Sequence, residues 1–377
     1  MASSKPEVII IGAGPVGLTA ALELKRRGIH PRIIDKTSGP AAQSRALGVN
    51  PRTLDILEPS GVTHQLLAVG NRLQRAFIVE SGKTLFTLRI ERLKHDRPFM
   101  LIVPQSETER ILIHALQDRG VEVEWNTELM ELSQVDDEVT AVIAMEDDIS
   151  EVTPDILIAA DGAYSTARQC TGLSFAGSPY PVVFALADVH YQQPRDPTAA
   201  TIELVSGGAV ASFPMDAHTI RHVGTSADVV SLVRSRRSGS EVIWDSEFHV
   251  SFRHVSTFNS GSVFLAGDAA HIHSPVGARG MNLGIEDAAW LAWLIETGET
   301  DRYTSYRLPA AKRVINFTRQ QTNQLFQSGP FVGLLRRTLA PAMLAIPFIE
   351  QMALRRLTGL DTPPPPWLAG DTSGTGS

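Results

Sequence analysis

"EVIIIGAGPVGLTAALELKRRGIHPRIIDK", residues 7–36, holds the reading on which the fold turns. The apolar run Val8 to Ile11 reads as a buried strand, and Gly12, Gly14 and Gly17 follow it with the spacing GxGxxG. Pro15 suits a first helical position, where a missing N–H costs nothing. Leu18, Ala21, Leu22 and Lys25 then recur at helical spacing, Gly28 ends the helix, and a second strand reaches Asp35. Glycine is needed where such a backbone turns sharply, approaches a pyrophosphate, or packs a helix closely on a strand. The helix start offers free N–H groups and a partial positive charge to phosphates. Asp35 is placed to accept hydrogen bonds from a ribose, with Lys36 beside it. The unit predicts a dinucleotide site and leaves open which dinucleotide.

The rest of the 377-residue chain is long enough for about two domains of ~150 residues. Its hydrophobic content of 43% supports sizeable cores. A net charge of −7, from 34 basic and 41 acidic residues scattered along the chain, leaves no basic patch for a phosphate backbone, so nucleic acid is not an expected partner. The single cysteine, Cys170, excludes an intramolecular disulfide and suits a cytoplasmic location. The N-terminus lacks the charged start and unbroken apolar stretch of a signal peptide. No run of about 18 apolar residues is present to span a bilayer. The nearest, "LAPAMLAIPFI" at 339–349, is expected to pack against the body or a second subunit.

Further elements follow from pattern. A helix is expected from Asn50-Pro51. In "QSETERILIHALQDRG" (105–120), Ser106 and Glu109 form a capping box and Gly120 a stop, with the strand "VEVEW" next. Residues 129–160 read as a meander with an acidic turn at Asp136-Asp137, ending in the strand of "DILIAADG". "RAFIVESGKTLFTLRI" (75–90) alternates like a hairpin around Ser81-Gly82, and 181–255 contains more strand-like stretches. From 282 to about 357 the chain reads as helical, with Ile285, Ala288, Ala292 and Ile295 as a buried stripe stopped by Gly298.

Two later motifs narrow the dinucleotide. "DILIAADGAYSTAR" carries Asp161, Gly162, Ser165 and Arg168 in the pattern D-G-x-x-S-x-x-R, and "LAGDAAHIHSPVGARGMNLGIEDAAWL" (265–291) carries Gly267-Asp268 after a buried strand. With the N-terminal fingerprint, in this order, they resemble the class A flavoprotein monooxygenases, the aromatic hydroxylases related to p-hydroxybenzoate hydroxylase, over about residues 5–330. The phenol and polyketide hydroxylases are the nearest group, although many of those continue into a thioredoxin-like domain that this sequence does not contain.

The resemblance implies an α/β fold: a Rossmann-like FAD-binding domain of the glutathione-reductase type, an inserted β-sheet substrate domain, and C-terminal helices. The expected partition is 1–70, 101–180 and 256–330 for the FAD-binding domain, and 71–100 with 181–255 for the substrate sheet. Residues 331–362 form a helical region and 363–377 a proline-rich spacer and disordered tail. The cofactor set it implies is Gly12, Gly14, Gly17, Asp35, Lys36, Arg45, Gln105, Asp161, Gly162, Gly267, Asp268, Gly280, Met281 and Asn282. Arg45 would lie near the flavin diphosphate, Gln105 at the ribityl chain, and Asp268 on the ribityl hydroxyls. Pro275 and the backbone of Gly280 and Met281 would adjoin the flavin ring. A helix starting near Asn282 would aim its positive end at the pyrimidine edge, where negative charge collects on reduction. His271 and His273, two apart with no third ligand nearby, give no metal site, and His271 reads as structural.

By the same resemblance, NADPH or NADH is a transient reductant, since no second GxGxxG exists. The implied reaction is hydroxylation of a small phenolic or polyketide-like aromatic substrate by O2, through a flavin C4a-hydroperoxide, in a monomer or homodimer. Arg45 and Arg168 give NADPH a slight preference. The catalytic base is unknown, and the pool to search is His190, His218, His222 and His254. Phe184, Phe213 and Tyr191 are expected in the core. Oxygen insertion beside a ketone, epoxidation, and a flavin-binding accessory protein without turnover remain as alternatives. The Trp-x-Trp-x-Ile-Pro signature of flavin halogenases is not found.

Overall fold

The computed structural model describes residues 5–41, 46–135, 138–146, 148–205, 208–235, 240–326, 337–339 and 341–369. Arg45, the Asp136-Asp137 turn and residues 370–377 lie outside that set.

Val8–Ile11 lies inside a six-stranded sheet of order Asn259–Ser260, Val263–Leu265, Ile156–Ala159, Val8–Ile11, Arg32–Ile34, Val123–Glu124. All its pairings are parallel except the outer one between 259–260 and 263–265. A sheet buried on both faces takes continuous apolar strands, and Val8 to Ile11 are all buried. Helix α1 (Pro15–Arg26) begins with Pro15 in its first turn and lays Leu18, Leu22 and Leu24 into the core at 0% exposure. Truncating such a leucine to alanine costs about 2–5 kcal/mol. Helix α2 (Pro51–Leu57) is capped by Asn50, whose side-chain oxygen accepts from the Thr53 amide at 2.9 Å. Helices α3 (Val62–Val69) and α4 (Gln105–Gln117) follow.

The second large sheet has eight strands in the order His271–Ile272, Ser240–Val255, Phe175–Tyr191, Thr219–Thr225, Gly208–Pro214, Ala199–Val205, Arg75–Glu80, Lys83–Arg89. The hairpin at 75–89 turns through Ser81 and Gly82, both with positive φ, and joins the later strands by pairing in parallel with Ala199–Val205. Alternation sends Ala185, Ala187, Val189 and Tyr191 to one face, where Ile220 and Val229 of helix α6 (Ser226–Ser235) complete a small core. Helix α5 (Thr166–Cys170) precedes this sheet in the chain. Phe184 faces the other way, into a cluster with Val250, Phe252 and Ile315.

Helix α7 (Gly280–Thr297) is buried almost all round and ends at Gly298, which has φ 72°. A Cβ on Gly284 would lie 2.6 Å from Val16 Cγ2 and 3.0 Å from Gly267 Cα, so the bare backbone there lets α7 close on both α1 and the Gly-Asp turn. Helices α8 (Tyr303–Phe326), α9 (Pro347–Leu357) and α10 (Pro366–Ala369) follow. Among the described residues no helix is long and apolar enough to cross a membrane.

Several boundaries differ from the sequence reading. Helix α4 starts at Gln105 with Pro104 as its cap, and Glu109 takes a bond from Gln105 Nε2 at 2.7 Å, so the Ser106–Glu109 capping box does not form. Of "VEVEW" only Val123–Glu124 pairs, because that strand is the sheet edge. The first of the strands expected from 181 onward begins earlier, at Phe175, within a 17-residue strand. Helix α6 was not foreseen, and α7 begins two residues earlier than Asn282. Leu339, Met343, Ile346 and Phe348 are exposed, so these four side chains of "LAPAMLAIPFI" are not buried in the body, while Leu344 and Ile349 are half-buried.

Candidate functional site

The three motifs meet where the first strands of the six-stranded sheet end. Gly12 has φ 102°, and a Cβ there would lie 2.4 Å from the Ala160 carbonyl oxygen. On Gly17 it would lie 1.8 Å from the Gly12 oxygen. Both positions need glycine for the fold alone. Gly14 is different: its φ of −71° and ψ of 179° suit any residue, and a Cβ would meet nothing within 4 Å. The space above Gly14 is open, and the start of α1 beside it has neither a side-chain cap nor an acidic residue in its first turn.

Asp35 is bonded within the protein on both carboxylate oxygens. Its Oδ2 accepts from the Ala13 amide at 2.7 Å, and its Oδ1 from the Thr37 amide and hydroxyl, each at 2.8 Å. The carboxylate therefore braces the glycine turn from below, a contact between adjacent strand ends that sequence spacing does not reveal. Lys36 is exposed and pairs with Glu128 at 3.5 Å. Gln105 stands at the start of α4, its amide bound to Glu109, whose carboxyl burial pushes up.

The Asp161 turn and the Gly-Asp turn are stapled together. Ser165 Oγ caps α5 by accepting from the Arg168 amide at 3.0 Å. The Arg168 guanidinium donates to the carbonyls of Ala163 and Ala269, both at 2.8 Å, and lies over the Phe175 ring. At 6% exposure and committed to two carbonyls, Arg168 does not reach out to a nucleotide phosphate. Gly162 turns with φ 79°. Asp161 Oδ2 accepts from the Ala167 amide, while its Oδ1 is buried with no partner, and burial raises its pKa against the bonds from Ser165 and the α5 backbone.

Asp268 is exposed at the surface of the Gly-Asp turn, with protein packed around it. That crowding raises its pKa, with His271 opposing. Beneath it lies a buried charged network. Asp287 Oδ2 accepts from His271 Nε2 at 2.6 Å and from the Gly267 amide at 3.2 Å, and its Oδ1 accepts from Arg307 Nε at 2.7 Å. Arg307 also reaches Glu286 at 2.7 Å. Burial alone would raise the Asp287 pKa, but Arg307 and His271 hold it below the ordinary value. His271 is thus structural, and sequence reasoning missed its partner 16 residues on, across the loop.

The 273–282 segment closes the site. Its histidine, His273, donates through Nδ1 to the Ser274 carbonyl at 2.9 Å and leaves Nε2 buried without a partner. Burial, with His271 and Arg279 nearby, pulls the ring down to about 3, so it is neutral. Pro275 is exposed. The start of α7 at Gly280, Met281 and Asn282 has no side-chain cap and no acidic residue in its first turn. The Asn282 side chain is spent on structure: it accepts from the Asn50 amide and donates to Gly48 and Ala278.

The histidine pool divides. His222 is fully buried on the α6 face, between Tyr191 Oη at 2.9 Å and Ser212 Oγ at 2.8 Å. His190 is exposed and stacks on His218, which bonds the Tyr191 carbonyl. His254 bonds the Val255 carbonyl. None of the four carries a contact that marks it as a base.

The residues fit FAD: an open backbone cradle at Gly14, an orphaned buried oxygen at Asp161, an exposed carboxylate in the Gly-Asp turn, and two uncapped helix starts. The chain resembles known proteins in the same sense. It is 34% identical to 6-methylpretetramide 4-monooxygenase of Streptomyces rimosus over 93% of this chain and 66% of the relative, so it spans just under two thirds of that protein. Among solved structures, p-nitrophenol 4-monooxygenase PnpA of Pseudomonas putida DLL-E4 shares the fold with a TM-score of 0.83 at 22% identity, covering 94% of this chain and 98% of that one. OxyS anhydrotetracycline hydroxylase of Streptomyces rimosus superposes with a TM-score of 0.80 at 28% identity, over 96% of this chain and 77% of its own. The family model described as the FAD binding domain matches residues 5–229 and 224–318, and the chain belongs to that family.

Proposed function

We propose that this protein is an FAD-dependent monooxygenase that uses NAD(P)H and O2 to hydroxylate a phenolic or polyketide-like aromatic compound. Bound FAD would pass reducing equivalents from the nicotinamide to dioxygen and transfer one oxygen atom to the substrate. The chain supplies binding, orientation and insulation. The open N–H groups at the start of α1 and the space over Gly14 would take the pyrophosphate, and Asp35 the adenosine ribose. Asp268 would accept from the ribityl hydroxyls. The uncapped start of α7 would face the pyrimidine edge and favour negative charge there. The eight-stranded sheet would roof the ring and keep out water.

The observation that carries this reading is Gly14, a glycine that the fold does not require, bordering empty space at a helix start. Hydroxylation is supported by the named activities of the relatives. The test is rapid mixing of the purified holoenzyme with NADPH or NADH across a panel of phenols and polycyclic quinones. Acceleration of flavin reduction by one compound, followed by incorporation of labelled oxygen as a hydroxyl group, is the expected result. Bound FAD with no compound-stimulated NAD(P)H oxidation would overturn the assignment in favour of a binding protein. A lactone product would move it to oxygen insertion beside a carbonyl.

A further inference from the structure

Helices α8 and α9 line an open groove of about 600 Å³. Its apolar lining comes from Phe317, Phe348 and Met352, and its charge from Arg313, Arg355 and Arg356. Asp361 also lines it, but pairs with the buried Arg279 at 3.0 Å. Among the described residues, none of the three lining arginines has a carboxylate partner. Two of them are nonetheless fixed: Arg313 Nη1 donates to the Asp361 carbonyl at 2.7 Å and Arg355 Nη2 to the Leu360 carbonyl at 2.9 Å. One short turn thus orients two guanidinium groups, each with N–H groups to spare.

The groove adjoins the loop before α7. A Cβ on Gly277 would lie 3.7 Å from the Phe317 ring, and Arg279 bonds the Arg356 carbonyl. An excess of unpaired guanidinium beside aromatic and thioether surface is suited to a flat apolar body bearing a negative group.

We propose that this groove selects an aromatic acid, a planar polycyclic compound with a carboxylate, by clamping the anion with Arg313 and Arg355 while its rings lie on Phe317 and Phe348. The proposal rests on the hydroxylase reading and names the substrate class for it. A nicotinamide nucleotide is the competing occupant, and the aromatic lining favours the acid.

The test is calorimetric titration of the FAD-loaded protein with anthraquinone-2-carboxylate and with its neutral carboxamide. The acid should bind roughly tenfold tighter, the scale of one charge-assisted bidentate contact. Arg313→Gln and Arg355→Gln should each remove most of that preference and leave amide binding, FAD content and thermal unfolding unchanged. Equal binding of acid and amide, no binding of the acid, or unchanged preference in both variants would overturn it. So would displacement of the acid by 2′-phosphoadenosine diphosphoribose. NADPH oxidation stimulated by an uncharged phenol, followed alongside, reports on the hydroxylase reading by itself. Equal binding of acid and amide by the wild-type protein, with that turnover intact, therefore sinks the groove assignment alone.

Discussion

Arg168 Nη1 donates to the Ala269 carbonyl at 2.8 Å, joining the turn after Ile156–Ala159 to the turn after Val263–Leu265. The two turns carry Asp161 and Asp268, so their spacing depends on one buried side chain. Arg168→Met strands two carbonyls in the interior and should cost about 2–4 kcal/mol. FAD affinity should fall by at least an order of magnitude. Arg168→Lys, with one donor group in place of a planar fork, should land between. Denaturant unfolding of the apoprotein and flavin titration check both numbers, and wild-type FAD affinity in Arg168→Met would contradict the staple.

His273 gives the protein a pH dependence of known sign. Unfolded, a histidine takes its proton near 6.5, whereas here the ring resists it until about 3. The unfolded chain binds more protons between those values, so the contribution is complete above pH 6.5 and is lost as pH falls toward 3. From about pH 7 to about 5.5 the loss is roughly 1 kcal/mol. Denaturant melts at the two pH values should show this loss in wild type and not in His273→Gln. The same pH slope in both proteins would remove His273 from the account.

His222 was a candidate base from sequence, and its geometry predicts otherwise. With both ring nitrogens bonded and the α6 core around it, His222→Gln should cost about 1 kcal/mol of stability and change kcat less than about twofold. A loss of a hundredfold in kcat, with the loss of a limb in the pH profile, would return His222 to the mechanism.

What was legible in the sequence was what is local. Val8 to Asp35 spell a strand, turn, helix and strand because each residue's conformation and face follow from its neighbours. The hairpin at Ser81-Gly82 was legible for the same reason. Contacts across the chain were not. Nothing near Asp287 announces that it holds His271 and Gly267, and the Arg279–Asp361 pair spans 82 positions. Asp35 follows the strand Arg32–Ile34 by one residue, and its bonds to Ala13 and Thr37 needed coordinates. Ser106 misled because a capping box reads the same from sequence whether the helix begins at it or one residue before.

The account's central claim is that FAD lies against the bare backbone at Gly14. Its most direct test is titration of apoprotein with FAD, in wild type and in Gly14→Val, with thermal unfolding of both apoproteins measured beside it. A Cβ there meets open space on an ordinary extended backbone, so the apoproteins should unfold within about 1 kcal/mol of each other, the scale of the lost N-cap preference, while the variant loses FAD binding by at least a hundredfold. Equal FAD affinity in the two well-folded proteins would contradict the claim.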